Sequence, residues 1–342
     1  MPAEANPLRV AIAGASSLRG KELKELLEDG SFSAADIRLL DEEIAAGILT
    51  EAAGEPALIQ SIEEDSFERA RFAFFTGTPA FAARHAAAAQ RAGSTVIDLS
   101  GGLADMADAV RWIPALDASL PPPAAVPQRS AGKVFLSPGA PAIIACSLAS
   151  ALGKLAVERL AIVFLQSVSE RGQAGIEELE SQTVKLLSFQ PISQEVFDTQ
   201  VAFNLMDRYG EGSAERLSDA RTGIAREVQR YLCGRVAAPA IQLIQAPVFY
   251  AHAFAAYAEF PSPPDAGSLR QSVETAGMRV SAANEAAPTS INVAGEKGIM
   301  LGQIERDPNV PRGYWLWGAA DNLRLATANA VSIAEKLLAS DK

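Results

Sequence analysis

Residues 8–20 read LRVAIAGASSLRG and contain the pattern that decides the fold of the first part of the chain. Apolar residues 8–13 predict a short strand, a turn begins at Gly14, and an amphipathic helix follows as far as Leu27. A strand, a glycine turn and a helix in this order are typical of a dinucleotide-binding unit, where the helix N-terminus holds a pyrophosphate. The candidate cofactor residues of this turn are Gly14, Ser16, Ser17, Leu18 and Gly20.

Ser17 stands where the usual pattern of this turn has its middle glycine. That glycine lets the backbone come close to the pyrophosphate, so a side chain at this position weakens or blocks the contact. The turn therefore indicates a nucleotide site without establishing that a nucleotide binds.

Three acids follow the second predicted strand, residues 37–40: Asp41, Glu42 and Glu43. A carboxylate at the end of this strand accepts a hydrogen bond from a ribose 2′-hydroxyl, whereas a 2′-phosphate needs Arg or Lys. Asp41 is therefore a candidate cofactor residue, and the acids favour NAD over NADP. A solvated acidic loop explains the same residues equally well.

Short apolar strands continue to alternate with helices through the first 135 residues. Strands at 72–75 and 96–98 flank an alanine-rich helix at 80–92, which predicts a parallel, doubly wound sheet. Residues 134–152, VFLSPGAPAIIACSLASAL, then predict a strand, a turn and a buried helix from about Pro141.

The remainder of the chain has a different pattern. Strands alternate with longer irregular segments there, which indicates an α+β domain around a mostly antiparallel sheet. The predicted elements are strands at 160–165, 241–249 and 253–259, helices at 175–187 and 218–232, an irregular segment at 190–212, and a strand and a terminal helix within 315–338. We expect an α/β protein with a Rossmann-like domain (1–135 plus 318–342) and a second domain (136–317).

Composition limits the partners and the chemistry. The 342 residues carry a net charge of −11 and no block of Lys and Arg, which argues against a nucleic-acid or membrane surface and favours small molecules or protein. The two cysteines, Cys146 and Cys233, have no partner at metal-ligand spacing, so no metal site is expected. No signal sequence or long apolar run is apparent, which predicts a cytoplasmic protein.

Six segments in order resemble the aspartate-semialdehyde dehydrogenase family over nearly the whole chain. They are GASSLRG (14–20), STVIDLSGGL (94–103), SVSERGQAGIEELESQT (167–183), QVAFNLMDR (200–208), QAPVFYAH (245–252) and WGAADNLR (317–324). The resemblance implies a Rossmann-like NAD(P)-binding domain, an α+β domain like the C-terminal domain of glyceraldehyde-3-phosphate dehydrogenase, and a homodimer. It also adds Asn322 to the candidate cofactor residues.

The family carries out the reversible, NADP-dependent reductive dephosphorylation of aspartyl phosphate through a cysteine thioester. The family's Asn-Pro-Asn-Cys turn corresponds here to Ser-Pro-Gly followed by Ala140, which cannot form a thioester. Cys146 lies six residues along the same predicted helix, a net rotation of about 240°, and therefore points elsewhere. His252 matches the catalytic histidine of the family; without a thiol it is as readily a structural residue.

Anion contacts also differ from the family pattern. Gln245 stands in place of the arginine that pairs with the substrate carboxylate, and Ala104 in place of the phosphate-binding arginine. A neutral amide cannot replace a guanidinium in charge, so carboxylate affinity should fall. The resemblance implies four candidate substrate residues: Gln166 and Glu227, which match the family, Arg230, where lysine is usual, and Gln245.

Three functions remain open. The departures at Ala140, Ala104 and Gln245 resemble the Usg-type homologues and favour a family member without the usual activity, acting as a binding or regulatory partner. A nicotinamide enzyme that acts on another substrate by direct hydride transfer is the second possibility. The third is an active aspartate-semialdehyde dehydrogenase with a relocated nucleophile, which needs Cys146 or Cys233 in the site.

Overall fold

The structure, a computed structural model, describes residues 8–52, 55–121, 132–282 and 284–340, and the chain divides into two compact units. Unit 1 comprises Met1–Pro114, Pro122–Pro138 and Ala326–Lys342, and unit 2 comprises Ala115–Pro121 and Gly139–Leu325. This division differs from the predicted one near the C-terminus. Residues 318–325 pack with unit 2, because residues 318–320 complete a strand of its sheet.

Unit 1 is built on a seven-stranded sheet in the order β5-β2-β1-β6-β7-β9-β8, and every pairing is parallel. Strands β3 and β4 form a separate antiparallel pair. The strands are β1 (Arg9–Ala13), β2 (Asp36–Asp41), β3 (Leu49–Ala52), β4 (Glu55–Leu58), β5 (Gln60–Ser61), β6 (Ala70–Phe75), β7 (Thr95–Asp98), β8 (Val110–Arg111) and β9 (Val134–Leu136). The predicted parallel, doubly wound sheet is confirmed.

Helices cover both faces of this sheet, which explains why its strands are nearly continuous apolar runs. They are α1 (Leu18–Glu28), α2 (Pro79–Arg91) and the part of the C-terminal helix that belongs to unit 1. Val10 and Ile12 pack in one core cluster with residues of α1 and of the C-terminal helix, whereas Ala11 and Ala13 pack in a second cluster with α2. Residues 326–342, which include most of the C-terminal helix, therefore belong to the Rossmann-like unit.

Unit 2 contains a six-stranded mixed sheet in the order β11-β10-β12-β15-β14-β13. Its elements are α3 (Ala140–Gly153), β10 (Arg159–Gln166), α4 (Gly172–Leu187), α5 (Leu217–Leu232), β11 (Ala240–Gln245), β12 (His252–Glu259), α6 (Ala266–Thr275), β13 (Met278–Val280), β14 (Ile299–Arg306) and β15 (Gly313–Ala320). The last helix, α7 (Asn322–Ser340), begins in unit 2. The pairings β10–β12, β12–β15 and β14–β15 are antiparallel, and β10–β11 and β13–β14 are parallel.

The predicted strand at 241–249 is wrong in its second half. Strand β11 ends at Gln245, and Pro247, which has no N–H, follows two residues later. The carbonyl groups of Val248 and Phe249 instead accept hydrogen bonds from Val168 and Ser169. Residues 246–251 are therefore tied to the segment that follows β10.

Helix α4 holds the irregular segment in place through two buried polar side chains. Glu178 accepts hydrogen bonds from the backbone N–H groups of Val196 and Phe197, and the Gln182 side-chain carbonyl accepts those of Val201 and Ala202. A segment without helix or sheet needs such partners, since buried backbone groups left unpaired are costly.

The sheet of unit 2 gathers the candidate residues at one edge. Gln166 and Gln245 end two parallel neighbours, β10 and β11, and face each other in register. His252 begins β12 opposite Ala320, the last residue of β15, and Asn322 follows it. Four positions that are distant in sequence are thus placed together by strand topology.

Candidate functional site

The glycine turn of unit 1 has no room for side chains at Gly14 and Gly20. A Cβ added at Gly14, where φ is +93°, would lie 2.4 Å from the backbone nitrogen of Gly77, and one at Gly20 would lie 2.4 Å from the carbonyl oxygen of Gly14. The turn, the loop after β6 and the first turn of α1 therefore pack backbone against backbone. This is the close approach for which the glycines of a dinucleotide turn are used.

Ser17 directs its hydroxyl into the protein. Its Oγ accepts a hydrogen bond from Gly20 N at 2.9 Å and lies 2.7 Å from the Gly14 carbonyl oxygen and 3.1 Å from that of Thr76. The side chain thus caps α1. Because the hydroxyl is bound to backbone groups of the protein and Gly14 and Gly20 allow close packing, the turn fits a dinucleotide.

Asp41 is buried at the end of β2 and bound to the same turn. Its Oδ2 accepts a hydrogen bond from Ser16 N at 2.8 Å, and its Oδ1 accepts one from Glu42 N at 2.8 Å. Each carboxylate oxygen has a second lone pair, so Asp41 can still accept a hydrogen bond from a ribose hydroxyl group.

A pocket of about 630 Å³ opens beside Asp41, lined by Glu42, Glu43, Ile44, Ser61, Ile62, Arg84 and His85. Arg84 forms an ion pair with Glu42 at 2.9 Å. His85 is half-buried, with its ring 4.8 Å from that of Phe81. Burial, together with the positive charge of Arg84, lowers the pKa of His85.

The start of helix α3 lies in unit 2 and contains no nucleophile. Ala140 is its first residue, and it is buried. The backbone N–H of Gly139 donates to Oε2 of Glu227 at 3.3 Å, which places a carboxylate at the positive end of the helix. Arg230 follows Glu227 on α5 and is exposed.

Cys146 is fully buried in α3, among apolar residues. Burial raises the pKa of its thiol strongly, and the Glu227 carboxylate raises it further. The thiolate is the reactive form of cysteine, so this residue is an inert core side chain. Cys233 is exposed, at the carboxyl end of α5, in the left-handed conformation with φ of +49°.

Gln166, Gln245 and Tyr209 form a buried polar cluster at the sheet edge. The Tyr209 hydroxyl donates to Gln245 Oε1 at 2.8 Å, and Gln166 Nε2 lies 3.3 Å from both of these oxygens. The Gln245 amide donates to the carbonyl oxygens of Gln166 and Ala246. The cluster is therefore neutral, where the family resemblance implies an arginine.

His252 is completely buried beside Glu170. Its Nδ1 accepts a hydrogen bond from the backbone N–H of Ser167 at 3.4 Å. Since a backbone N–H can only donate, Nδ1 carries the lone pair of the neutral ring and Nε2 carries the proton. Nε2 lies 3.2 Å from Glu170 Oε1 but is not aligned for a hydrogen bond with any described residue.

Asn322 holds this pair in position. Its Nδ2 donates to Glu170 Oε1 at 2.8 Å, and its Oδ1 accepts Ala251 N at 2.9 Å. The amide, which the sequence suggested as a cofactor contact, is therefore engaged within unit 2. The Glu170 carboxylate is 19% exposed, and it is the member of the pair that can exchange a proton with a bound hydroxyl or carbonyl group.

Glu170 and Arg171 were not identified from the sequence. They lie in the short 3-10 turn Val168–Arg171 between β10 and α4. Adjacent opposite charges directly after a buried strand were the available signal, since residues at strand ends often line sites. The partners of Arg171, Tyr209 and Glu215, are distant in sequence and could not be assigned.

Ala104 lies in a turn of unit 1 after β7. Its backbone carbonyl accepts a hydrogen bond from the Arg111 guanidinium. A cation is thus present near the position at which the resemblance implies a phosphate-binding arginine, although on a different residue.

Comparisons with known proteins agree with the two-unit architecture. Residues 9–119 match the sequence model described as semialdehyde dehydrogenase, NAD binding domain, and residues 148–325 match semialdehyde dehydrogenase, dimerisation domain. A USG-1 protein homolog from Pseudomonas aeruginosa is 30% identical over 97% of this chain and 98% of its own length. Aspartate-semialdehyde dehydrogenase 2 from Vibrio cholerae is 29% identical, covering 96% of this chain and 97% of that protein.

Solved structures give the same result. A probable aspartate-semialdehyde dehydrogenase from Pseudomonas aeruginosa superposes with a TM-score of 0.82 at 28% identity, covering 97% of this chain and 98% of that one. Aspartate semialdehyde dehydrogenase II from Vibrio cholerae superposes with a TM-score of 0.83 at 27% identity, covering 97% and 99%. With both domain models matched and relatives aligned over almost their full length, the chain belongs to the semialdehyde dehydrogenase family.

Proposed function

We propose that this chain is a nicotinamide-dinucleotide-binding, homodimeric member of its family that lacks the covalent thiol route. The observation that carries the proposal is Ala140 at the first position of α3, because a methyl group there can neither attack a carbonyl nor hold an acyl group. Aspartate-semialdehyde dehydrogenase activity, which the names of several relatives carry, is the alternative that this residue argues against.

Neither cysteine offers a replacement nucleophile. Cys146 is buried with a raised thiol pKa, and Cys233 is exposed at the carboxyl end of α5, whereas the position that aligns with the family nucleophile begins α3. Position 245 is a second departure from the family pattern, since a neutral glutamine stands where the family has an arginine.

The match to an NAD binding domain supports a nicotinamide cofactor. Gly14, Ser16, Leu18 and Gly20 would hold its pyrophosphate, and Asp41 would accept a ribose hydroxyl. When bound, such a cofactor accepts or donates a hydride. The acidic residues beside Asp41 favour NAD, although Arg84 in the same pocket prevents the preference from being absolute.

The match to a dimerisation domain supports a homodimer. One face of the unit 2 sheet is packed by helices α3, α5 and α6, whereas Trp315 and Trp317 on β15 remain 44% and 37% exposed. Aromatic residues exposed side by side on a strand are typical of an interface.

Among the described residues, no helix combines the length and apolar character needed to cross a membrane.

Calorimetric titration with NAD and, separately, NADP tests the cofactor assignment. We expect NAD to bind at micromolar strength, about −8 kcal/mol, and more tightly than NADP. Asp41→Asn should reduce the difference in affinity between NAD and NADP. Asp29→Asn, an equal change of charge at an exposed position, should leave that difference unchanged. Absence of heat with both nucleotides would contradict the proposal.

A second candidate is a nicotinamide oxidoreductase that acts on another substrate without a covalent intermediate. The observation that favours it is the Glu170 carboxylate against His252, because direct oxidation of an alcohol needs a proton acceptor and no nucleophile. In this candidate Glu170 takes up the hydroxyl proton, and Gln166, Glu227, Arg230 and Gln245 are the proposed substrate contacts. A screen of small alcohols and aldehydes for nucleotide turnover, with Glu170→Gln as the inactive control, tests it.

A further inference from the structure

Arg171 is a buried cation with an incompletely used guanidinium group. Its side chain is 10% exposed, and its Nε–H is buried without a hydrogen-bond partner among the described residues. A buried donor of this kind costs free energy unless a ligand or water accepts it. The observation therefore points to an acceptor that binds from outside the chain.

Two contacts fix the position of Arg171, one at its guanidinium group and one at its Cβ atom. Its central carbon lies 5.9 Å from the centre of the Tyr209 ring, the residue whose hydroxyl donates to Gln245. Gly175 allows helix α4 to approach the Arg171 turn, since an added Cβ there would lie 2.7 Å from Cβ of Arg171. Arg171 thus lies next to the polar cluster of Gln166, Gln245 and Tyr209, whose side chains are neutral.

The partner of Arg171 differs from it in burial. Glu215 forms an ion pair with Nη1 of Arg171, but its side chain is 69% exposed. The exposed Glu215 side chain can return to water when another carboxylate takes over the pairing, and the buried Arg171 then keeps a partner of opposite charge. The Glu215 carboxylate therefore stands in the place that a carboxylate ligand could take.

We propose that Arg171 binds the carboxylate of a small-molecule ligand through its unused Nε–H, in competition with Glu215 for the positive charge of the guanidinium group. A carboxylate fits the planar guanidinium edge through two parallel hydrogen bonds, and Nε–H with one Nη–H provides such an edge. The cation is thus supplied by the turn after β10, while position 245 carries a neutral glutamine. The proposal needs no bound nucleotide.

The test is a titration of the nucleotide-free protein with succinate. Binding is observed by NMR through the arginine Nε–H signals. The Arg171 signal, identified by its absence in Arg171→Lys, should shift on addition of succinate and should not shift with the neutral analogue succinamide. Arg171→Gln should weaken binding by roughly tenfold or more, because a charged hydrogen-bond pair is lost. Arg208→Gln, the same charge change at an exposed position, is the control.

Glu215→Gln gives the sharper result. Removal of the internal competitor should strengthen succinate binding by about two- to fivefold. The matched change Glu211→Gln, at an exposed residue of the same segment, should have little effect. A merely structural Arg171–Glu215 pair predicts no such gain.

Three results would overturn the proposal: unchanged or weaker binding in Glu215→Gln, equal binding in Arg171→Gln, or a response to inorganic phosphate without one to succinate. If Arg171→Gln does not fold, Arg171→Lys and Glu215→Gln still decide the question. A negative result in the succinate titration would not contradict the proposed binding of NAD, because nucleotide binding is measured in a separate experiment.

Discussion

Cys146 is too deeply buried to supply the thiol that is missing at Ala140. Its side chain is fully buried on α3, and burial raises the pKa of the thiol. Cys233, by contrast, is exposed. The two cysteines should therefore differ sharply in reactivity, since the thiolate and its accessibility control the rate.

Thiol labelling at neutral pH checks this difference. We expect iodoacetamide to modify Cys233 and to spare Cys146 in the folded protein, with both labelled after denaturation. Cys233→Ser should remove native labelling, as measured by mass spectrometry. Modification of Cys146 in the native protein would show that it reaches solvent and would revive a relocated nucleophile.

Asp98 offers a pH-dependent test at the same scale. Burial raises the pKa of its carboxyl group, although hydrogen bonds from Ser100 and Leu103 act in the opposite direction. The folded protein therefore binds this proton more tightly than the unfolded chain, whose carboxyl group has a pKa near 3.8. Lowering the pH from the raised folded value towards 3.8 stabilises the folded state through this group.

Comparison with Asp98→Asn isolates that contribution, because the other titrating groups are shared. The variant should be about 1–3 kcal/mol less stable at neutral pH, since one acceptor oxygen is lost. As the pH falls through the window, the stability of the natural protein should rise relative to the variant. Urea unfolding at several pH values measures the free energy of unfolding of both proteins. If the stability advantage of the natural protein became smaller at acid pH, the pKa of Asp98 would not be raised.

At the scale of elements, helix α4 and the turn before it depend on one small residue. A Cβ added at Gly175 would lie 2.4 Å from the carbonyl oxygen of Val168. Gly223 also lies in a helix, α5, but has nothing within 4 Å of an added Cβ. The two glycines share a conformation and differ in surroundings.

Gly175→Ala should destabilise the protein by about 1–3 kcal/mol through overpacking. Gly223→Ala should stabilise it by up to about 1 kcal/mol, because alanine favours the helix. Urea unfolding of both variants gives the comparison. Similar changes in both would mean that the α4 turn is not tightly packed against Val168.

Elements with long apolar runs or clear helical periodicity were predicted to within a few residues, as for β1, α3 and α5. The prediction missed α6, β13 and β14, whose sequences contain few consecutive apolar residues. It extended β11 too far because residues 246–249 are apolar, whereas Pro247 and the hydrogen bonds to residues 168 and 169 end the strand. Local sequence carries no information about such distant partners.

For the whole molecule, candidate site residues that depend on a local motif could be named from the sequence, whereas those that depend on strand topology could not. Gly14 and Asp41 followed from a local pattern, and the structure places them in contact with one turn. Tyr209, Glu170 and Arg171 lie against residues from other strands and loops, some of them more than 30 positions away. Such contacts depend on strand order, which one sequence does not reveal.

Turnover in the family reaction tests the central claim most directly. The purified protein is mixed with aspartate semialdehyde, phosphate and NADP or NAD, and formation of reduced nicotinamide is followed. We expect none above the protein-free control. Ala140→Cys alone should remain well below the rate of an active relative, since catalytic groups that act together are non-additive. Turnover by the natural protein, lost in Cys146→Ser or Cys233→Ser, would contradict the absence of a thiol route.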